Sequence, residues 1–391
     1  MLNTPFSPWP CFSEEEANAA RDVVLSNRVN YWTGEQCRLF EQEFAAWARC
    51  KHAVALANGT VALDVALKVL AIGPGDEVIV TPRTFLASAS AIVNAGAIPV
   101  FADVDRDSQN ITAETIRRVL SPWTRGIICV HLAGWPCDMD PIMALASESG
   151  LKVIEDCAQA HGARYKGRPV GGLGHIGAWS FCQDKIMTTG GEGGMVTTND
   201  PDLWSAMWSF KDHGKSWDAV YQREHPPGFR WLHESFGTNW RMIELQAAIG
   251  RIQLARMAEW HRARLANAQW IWAAARQIDA LRVPVPDPQI EHAAYKCYVF
   301  VRPERLRADW GRDRIIEAIN AEGVPCYAGS CSEIYLEKAF DGTGWRPEAR
   351  LPVARELGDN SLMFLVHPTL MQEEIMKTCN VLGAVMAQAS A

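Results

Sequence analysis

Short runs of Val, Ile and Ala alternate along this chain with longer helical patterns, and that alternation constrains the fold more than any other feature. HAVALA (52–57), DEVIVTP (76–82), AIPVFADVD (97–105), GIICVH (126–131), LKVIEDC (151–157), AWSFC (178–182) and GMVTTN (194–199) read as strands. Between them VALDVALKVL (61–70), TFLASASAIVNAG (84–96) and MDPIMALASESG (139–150) read as helices. Strands that are apolar nearly throughout are covered on both faces, and their alternation with helices predicts an α/β fold with a mostly parallel sheet sandwiched by helices. Two amphipathic helices precede the series, in 13–26 and 35–50, separated by the loop NYWTGE. A long helical pattern from Arg241 to Ile278 has the length of a hinge element. The expected division is a large domain with its N-terminal helices over 1–260 and a smaller C-terminal α/β domain over 261–391.

Composition narrows the function classes. A net charge of −7 without a basic stripe argues against a nucleic-acid partner. No apolar run approaches the ~18 residues of a membrane span, so no membrane partner is expected. The start, MLNTPFSPWPCFSEEE, lacks the charged head and apolar centre of a signal peptide. Eleven cysteines occur without a C-x-x-C pair, Cys326 and Cys331 being the closest two. That pattern predicts reduced thiols in a cytoplasmic protein, with neither a disulfide framework nor a metal site.

One glycine pattern is a decoy. Gly172, Gly174 and Gly177 in GGLGHIG match G-x-G-x-x-G, but they precede a strand and open no helix. A dinucleotide fingerprint needs the reverse context, so a tight turn feeding a strand is the better reading.

Four other segments carry chemistry. ANGTVAL follows a strand and opens a helix near Thr60, so its amides, the Thr60 hydroxyl and an unhindered Gly59 could cradle an anion; taken alone, the segment reads better as an Asn58-Gly59 turn with Thr60 a plain N-cap. VIEDCAQAHGA sets Glu155 and Asp156 at a strand's carboxyl end, where ligands bind in parallel sheets, although an acid there can also cap the next helix. Phe85 directly follows another strand and could cover a planar ring, or be core. In SFCQDKIMTTGGEGGM (180–195) Lys185 lies between an apolar run and a glycine-rich turn. Desolvation there would lower its pKa and free its lone pair for covalent bonding to an aldehyde. Together the four match the phosphate, ring face, pyridine nitrogen and aldehyde of pyridoxal 5′-phosphate.

With these motifs and GPGDEVIVTPRTF (73–85) and GTNWRMIELQAAIG (237–250), the chain resembles the DegT/DnrJ/StrS family of pyridoxal-phosphate-dependent sugar aminotransferases, from about residue 12 to the C-terminus. The resemblance implies the aspartate-aminotransferase fold. It implies that Lys185 binds the cofactor aldehyde, Asp156 pairs with the pyridine nitrogen, Gln159 lies beside the ring and Phe85 stacks on it. Gly59, Thr60 and Ser180 would hold the phosphate. Asn239 would reach the phosphate of a neighbouring subunit, which implies a homodimer with shared active sites. His213 and Tyr327 stand as candidate substrate contacts. The implied reaction moves an amino group from an amino acid, glutamate by expectation, to a nucleotide-linked keto-sugar in polysaccharide or secondary-metabolite synthesis. The alternatives are a related enzyme acting on a non-sugar ketone, or a regulatory protein of this fold; retention of Lys185 and Asp156 disfavours the latter. The chain departs from the family pattern at TTGGEGG, one glycine longer than TTGEGG, and at GVPCYAGSCSEIYLEKAF (323–340).

Overall fold

The computed structural model describes residues 6–228 and 231–391. Among the described residues up to 210 there are nine strands and seven α-helices. The strands are β1 (His52–Leu56), β2 (Glu77–Val80), β3 (Ile98–Phe101), β4 (Thr124–Val130), β5 (Lys152–Asp156), the two-residue β6 (Arg164–Tyr165) and β7 (Arg168–Pro169), β8 (Ile176–Ser180) and β9 (Gly194–Thr198). The helices are α1 (Glu14–Leu25), α2 (Gln36–Trp47), α3 (Gly59–Val69), α4 (Ala87–Asn94), α5 (Ala113–Arg117), α6 (Met139–Ser149) and α7 (Pro201–Phe210).

Seven strands form one sheet in the order β1-β9-β8-β5-β4-β2-β3. Five of them, from β8 through β3, run parallel; β9 is antiparallel to both β8 and β1. Being reversed against a reversed strand, β1 points the same way as the parallel set. The carboxyl ends of β1, β2, β5 and β8 therefore open on one edge of the sheet, and the four chemically suggestive segments follow those four ends.

The apolar strands are buried on both sides. In β2, Val78 and Val80 pack into one core cluster while Ile79, pointing oppositely, packs into another with Ile127 and Val153. Helix starts follow local signals: Ser13 and Glu16 form a capping box on α1, and Asp200 caps α7.

Helix α8 (Trp217–Tyr221) is short, and α9 (Glu244–Ala275) runs for 32 residues. The first half of α9 contributes Ala247, Leu254 and Met257 to the core of the large sheet. Its second half contributes Ala268, Ile271, Trp272 and Ala275 to a separate core. That second core covers a four-stranded antiparallel sheet in the order β10-β12-β14-β13. Its strands are β10 (Leu281–Arg282), β12 (Cys297–Val301), β13 (Cys326–Tyr327) and β14 (Ser361–Phe364), while β11 (Ile290–Glu291) joins β6 and β7. Helices α10 (Arg312–Ala321), α11 (Pro352–Asn360) and α12 (Gln372–Ala389) complete the chain. All eleven cysteines are free, and among the described residues no helix is long and apolar enough to cross a membrane.

Candidate active site

A cavity of about 750 Å³ opens where the carboxyl ends of the large sheet meet the small sheet. Its wall brings together Gly59, Thr60, Phe85, Asp156, Gln159, Ser180 and Lys185, seven residues drawn from 127 positions of sequence.

The first wall is the start of α3. Asn58, not Thr60, is its N-cap: the Asn58 side chain accepts from the Val61 amide at 3.0 Å. The cap leaves the amides of Gly59 and Thr60 unclaimed, both at the positive end of the helix dipole. Gly59 lies hard against the end of β8. A Cβ there would come within 2.5 Å of Ser180 Cβ and 2.9 Å of Ser180 Oγ, so no larger residue fits without displacing the strand. The outcome is two free amides and two hydroxyls on one small concavity, the chemistry of an anion cradle.

Strand alternation sorts the two carboxylates at the end of β5. Glu155 is fully buried and accepts from the amides of Gly171 (2.8 Å), Leu173 and Gly174 (both 2.7 Å) and pairs with His131 Nε2 at 3.0 Å. Burial alone would push its carboxyl up; the His131 contact and the amides of Gly174 and Gly171 outweigh it, and the net shift is downward. The glycine pattern at 172–177 is therefore a wrapping for Glu155. Gly177 packs so tightly on Gly171 that a Cβ would fall 2.5 Å from its Cα.

Asp156 points the other way, into the cavity wall. Its Oδ2 accepts from Ser88 Oγ at 2.8 Å and its Oδ1 from the Ala158 amide at 3.1 Å. Burial raises its pKa, and Ser88, Ala158, Lys185 and His131 offset this only in part. A carboxylate kept short of full satisfaction in a buried wall is poised for a cationic partner. Gln159 is held by the Ala133 amide, which donates to Oε1 at 2.9 Å. Phe85, in contrast, is 72% exposed on the cavity wall, which leaves a ring available to cover a planar ligand.

Lys185 enters from the loop after β8. Its side chain is only 17% exposed, and its Nζ lies 3.6 Å from Asp184 Oδ1 and 5.3 Å from the ring centroid of Tyr295. Trp9 Nε1 donates to the Lys185 carbonyl at 2.9 Å, so the N-terminal segment fixes the loop that carries it. The extra glycine of TTGGEGG is accommodated by two consecutive left-handed residues, Gly190 (φ +87°) and Gly191 (φ +124°). Thr188 Oγ1 accepts from the Gly191 amide, and Gln246 Nε2 donates to the Glu192 carbonyl at 2.7 Å, so the turn is pinned with Glu192 in the cavity wall.

Three predicted site residues lie elsewhere. Asn239 is exposed, bridged to Asp212 outside this cavity. His213 is exposed with φ +60°, its amide bonded to the Thr238 carbonyl. Tyr327 is 48% exposed on β13 and does not line the cavity, although Gly329 and Ser330 just after it do. Neither candidate substrate contact is thus brought to the cavity of its own chain. Sequence reasoning also passed over Ser88, Asp184, Tyr295, Lys296 and Tyr298, all on the wall. Lys296 carried a legible signal: it is a lone charge in the apolar run AAYKCYVFV, the same kind of context that singled out Lys185.

Residues 10–383 match the DegT/DnrJ/EryC1/StrS aminotransferase family, and the chain belongs to it. It is 36% identical over 369 residues to the UDP-N-acetyl-3-dehydro-α-D-glucosamine 3-aminotransferase of Acidithiobacillus ferrooxidans, covering 93% of both chains. The fold closely follows a solved aminotransferase from Psychrobacter cryohalolentis, with a TM-score of 0.97 and 64% identity over 98% of this chain and 99% of that one. It also follows DesV of S. venezuelae, solved with a ketimine intermediate, with a TM-score of 0.87 and 31% identity over 98% and 99%.

Proposed function

We propose that this aminotransferase-family chain uses pyridoxal 5′-phosphate to transfer an amino group from an amino acid, glutamate foremost, to a nucleotide-linked keto-sugar. The observation that carries the reading is the convergence of Lys185, Asp156 and the α3 cradle on one cavity at the strand ends. The sugar half rests on the relative from Acidithiobacillus ferrooxidans, whose name gives a UDP-linked keto-sugar as substrate.

The donor set suits the cofactor. A dianionic phosphate matches the free amides of Gly59 and Thr60 with the hydroxyls of Thr60 and Ser180, in a space that a Cβ at 59 would fill. When bound, the cofactor supplies an aldehyde for amino-group exchange and a ring that takes up an electron pair. Asp156, anchored by Ser88 and Ala158, would hold a proton on the pyridine nitrogen. Phe85 would cover one ring face, and Gln159, fixed by Ala133, would lie beside it. Lys185 Nζ would bind the aldehyde at rest and, once displaced, carry the proton to and from the reacting substrate carbon.

Two further assignments belong to this reading. Asn239, exposed and outside its own cavity, would serve the site of a second copy in a homodimer. The functional division would fall near residue 260, between Met257 in the core of the large sheet and Ala268 in that of the small one. The test is to incubate purified holoenzyme with glutamate and a panel of nucleotide-linked keto-sugars and look for the amino-sugar by mass spectrometry. A panel without product, alongside active transamination of non-sugar ketones, would overturn the sugar assignment.

A further inference from the structure

Two lysines, Lys185 and Lys296, stand on the cavity wall, and the guanidinium of Arg264 is buried outside that wall. Lys185 and Lys296 both lie over the ring of Tyr295, at 5.3 and 4.7 Å from its centroid, and are therefore no more than about 10 Å apart. Arg264, only 1% exposed and 4.8 Å over the ring of Trp9, acts electrostatically on Lys296 from behind, and its Nε and Nη2 have no partner among the described residues. The facing carboxylates are Asp184, which accepts from the Tyr295 hydroxyl and leans toward Lys185, and Glu192, which meets the Cys182 thiol at 3.7 Å. Asp156 is committed to Ser88 and Ala158. Lys296 itself, partly buried in the cavity wall, makes neither an ion pair nor a hydrogen bond to any described residue. Burial, and behind it the charges of Arg264 and Lys185, pull its ammonium down to about 8 even though Asp184 opposes them. A partly buried ammonium with no counter-ion of its own is costly to hold, and an anion from outside would complete it.

We propose that Lys296 anchors the carboxylate of the amino-donating acid. The inference rests on the transaminase reading above and goes beyond it by assigning the donor subsite. Position decides between the anions such a reaction brings. The α-carboxylate of an amino acid is bonded directly to the carbon that surrenders the amino group, so it must lie close to Lys185. The diphosphate of a nucleotide-sugar is separated from the ketone by the body of the sugar ring and falls nearer the mouth. Lys296 shares an aromatic ring with Lys185, which places it with the carboxylate.

The test uses holoenzyme and maleate, a dicarboxylate that cannot exchange an amino group. In Lys296→Met, the inhibition constant of maleate and the KM for glutamate should each rise by about tenfold or more, as expected on removing one member of a desolvated charge pair. Lys296→Arg should recover most of the loss, and the KM for the keto-sugar nucleotide should stay within about twofold. A merely electrostatic influence on Lys185 would lower kcat with both substrates and leave maleate inhibition alone, and that outcome overturns the proposal. A rise in the sugar-nucleotide KM with glutamate unchanged overturns it also. Should the variants fail to fold, brief acetylation of wild-type holoenzyme decides: maleate must shield Lys296 from acetic anhydride, by peptide mass mapping, while UDP does not, and the reverse pattern refutes it. The maleate and acetylation arms need no sugar substrate, so they stay decisive even if no keto-sugar is turned over.

Discussion

Replacing Asp156 by Asn separates charge from structure at a buried carboxylate of the cavity wall. The carboxylate accepts from two groups, the Ala158 amide at 3.1 Å and the Ser88 hydroxyl at 2.8 Å. An asparagine oxygen can keep the first bond. Its NH2 would face Ser88 Oγ, which can turn to accept, because it already shares a hydrogen bond of 3.0 Å with Thr84 Oγ1 in which either can donate. Every local hydrogen bond survives, so the fold should lose less than about 1 kcal/mol. On the proposed reading, however, the pyridine nitrogen of the cofactor would lose the carboxylate that holds its proton. A loss of even two pKa units there costs about 2.7 kcal/mol, or on the order of 100-fold in rate. The assay is single-turnover absorbance change with glutamate, paired with thermal melting of the same preparation. A variant that turns over within about tenfold of wild type would refute the role. A variant that melts far below wild type would instead mark Asp156 as a structural group and leave the rate uninterpretable as chemistry.

Borohydride reduction of the holoenzyme, followed by peptide mapping, should place the cofactor on Lys185, and Lys185→Ala should retain cofactor without that label; a label on Lys296 would reverse the assignment of the two lysines. Gly59→Ala forces a Cβ to within 2.5 Å of Ser180 Cβ, so the cofactor should dissociate at least about tenfold more readily on dialysis, and unchanged retention would remove the α3 cradle from the site. Maleate inhibition should weaken as pH rises through about 8, where Lys296 loses its proton among Asp184, Lys185, Arg264, Tyr295 and His367, and Lys296→Met should lack that step. Mixing Lys185→Ala with Asn239→Asp chains and refolding them together should restore about a quarter of wild-type activity, because half the pairs by chance carry one intact shared site; a mixture as inactive as its parents would confine Asn239 to its own chain.

Much of this was legible because the parallel sheet leaves a strong trace in sequence. Short apolar runs such as EVIV and GIICV, spaced by helical patterns, read as strands buried on both faces, and parallel strands bring their carboxyl ends to one edge. The motif residues at those ends then converge without any knowledge of distances. What the sequence could not convey was side-chain direction beyond the strand. The cap at α3 belongs to Asn58 because its Oδ1 reaches Val61, a geometric fact that Thr60 mimics in composition. Tyr327 and Ser330 are three residues apart, yet the turn at Gly329 (φ +88°) separates the exposed tyrosine from the serine on the wall. The contributions of β12 were missed because an apolar strand from the second sheet announces packing. Its polar exceptions, Tyr298 within the strand and Lys296 just before it, gain meaning only when that sheet closes over the first.

The adjacent pair Glu155–Asp156 shows how one strand end serves two demands at once. Successive residues of β5 face opposite sides of the sheet, so two carboxylates one position apart meet unrelated environments. Glu155 is saturated by three amides and His131, and those bonds fix the loop that leads into β8. Asp156 receives only two donors, and burial keeps its proton affinity high. The loop that Glu155 ties down feeds the strand whose far end carries Ser180 and then Lys185. Removing the Glu155 charge, as in Glu155→Gln, would turn one of its acceptors into a donor facing an amide or His131, and this costs about 1–3 kcal/mol per unsatisfied group. Because that damage enters through the position of β8, cofactor retention should fall together with the melting temperature, whereas Asp156→Asn lowers turnover alone. If Glu155→Gln kept full stability and lost only turnover, Glu155 and not Asp156 would be the carboxylate the reaction depends on.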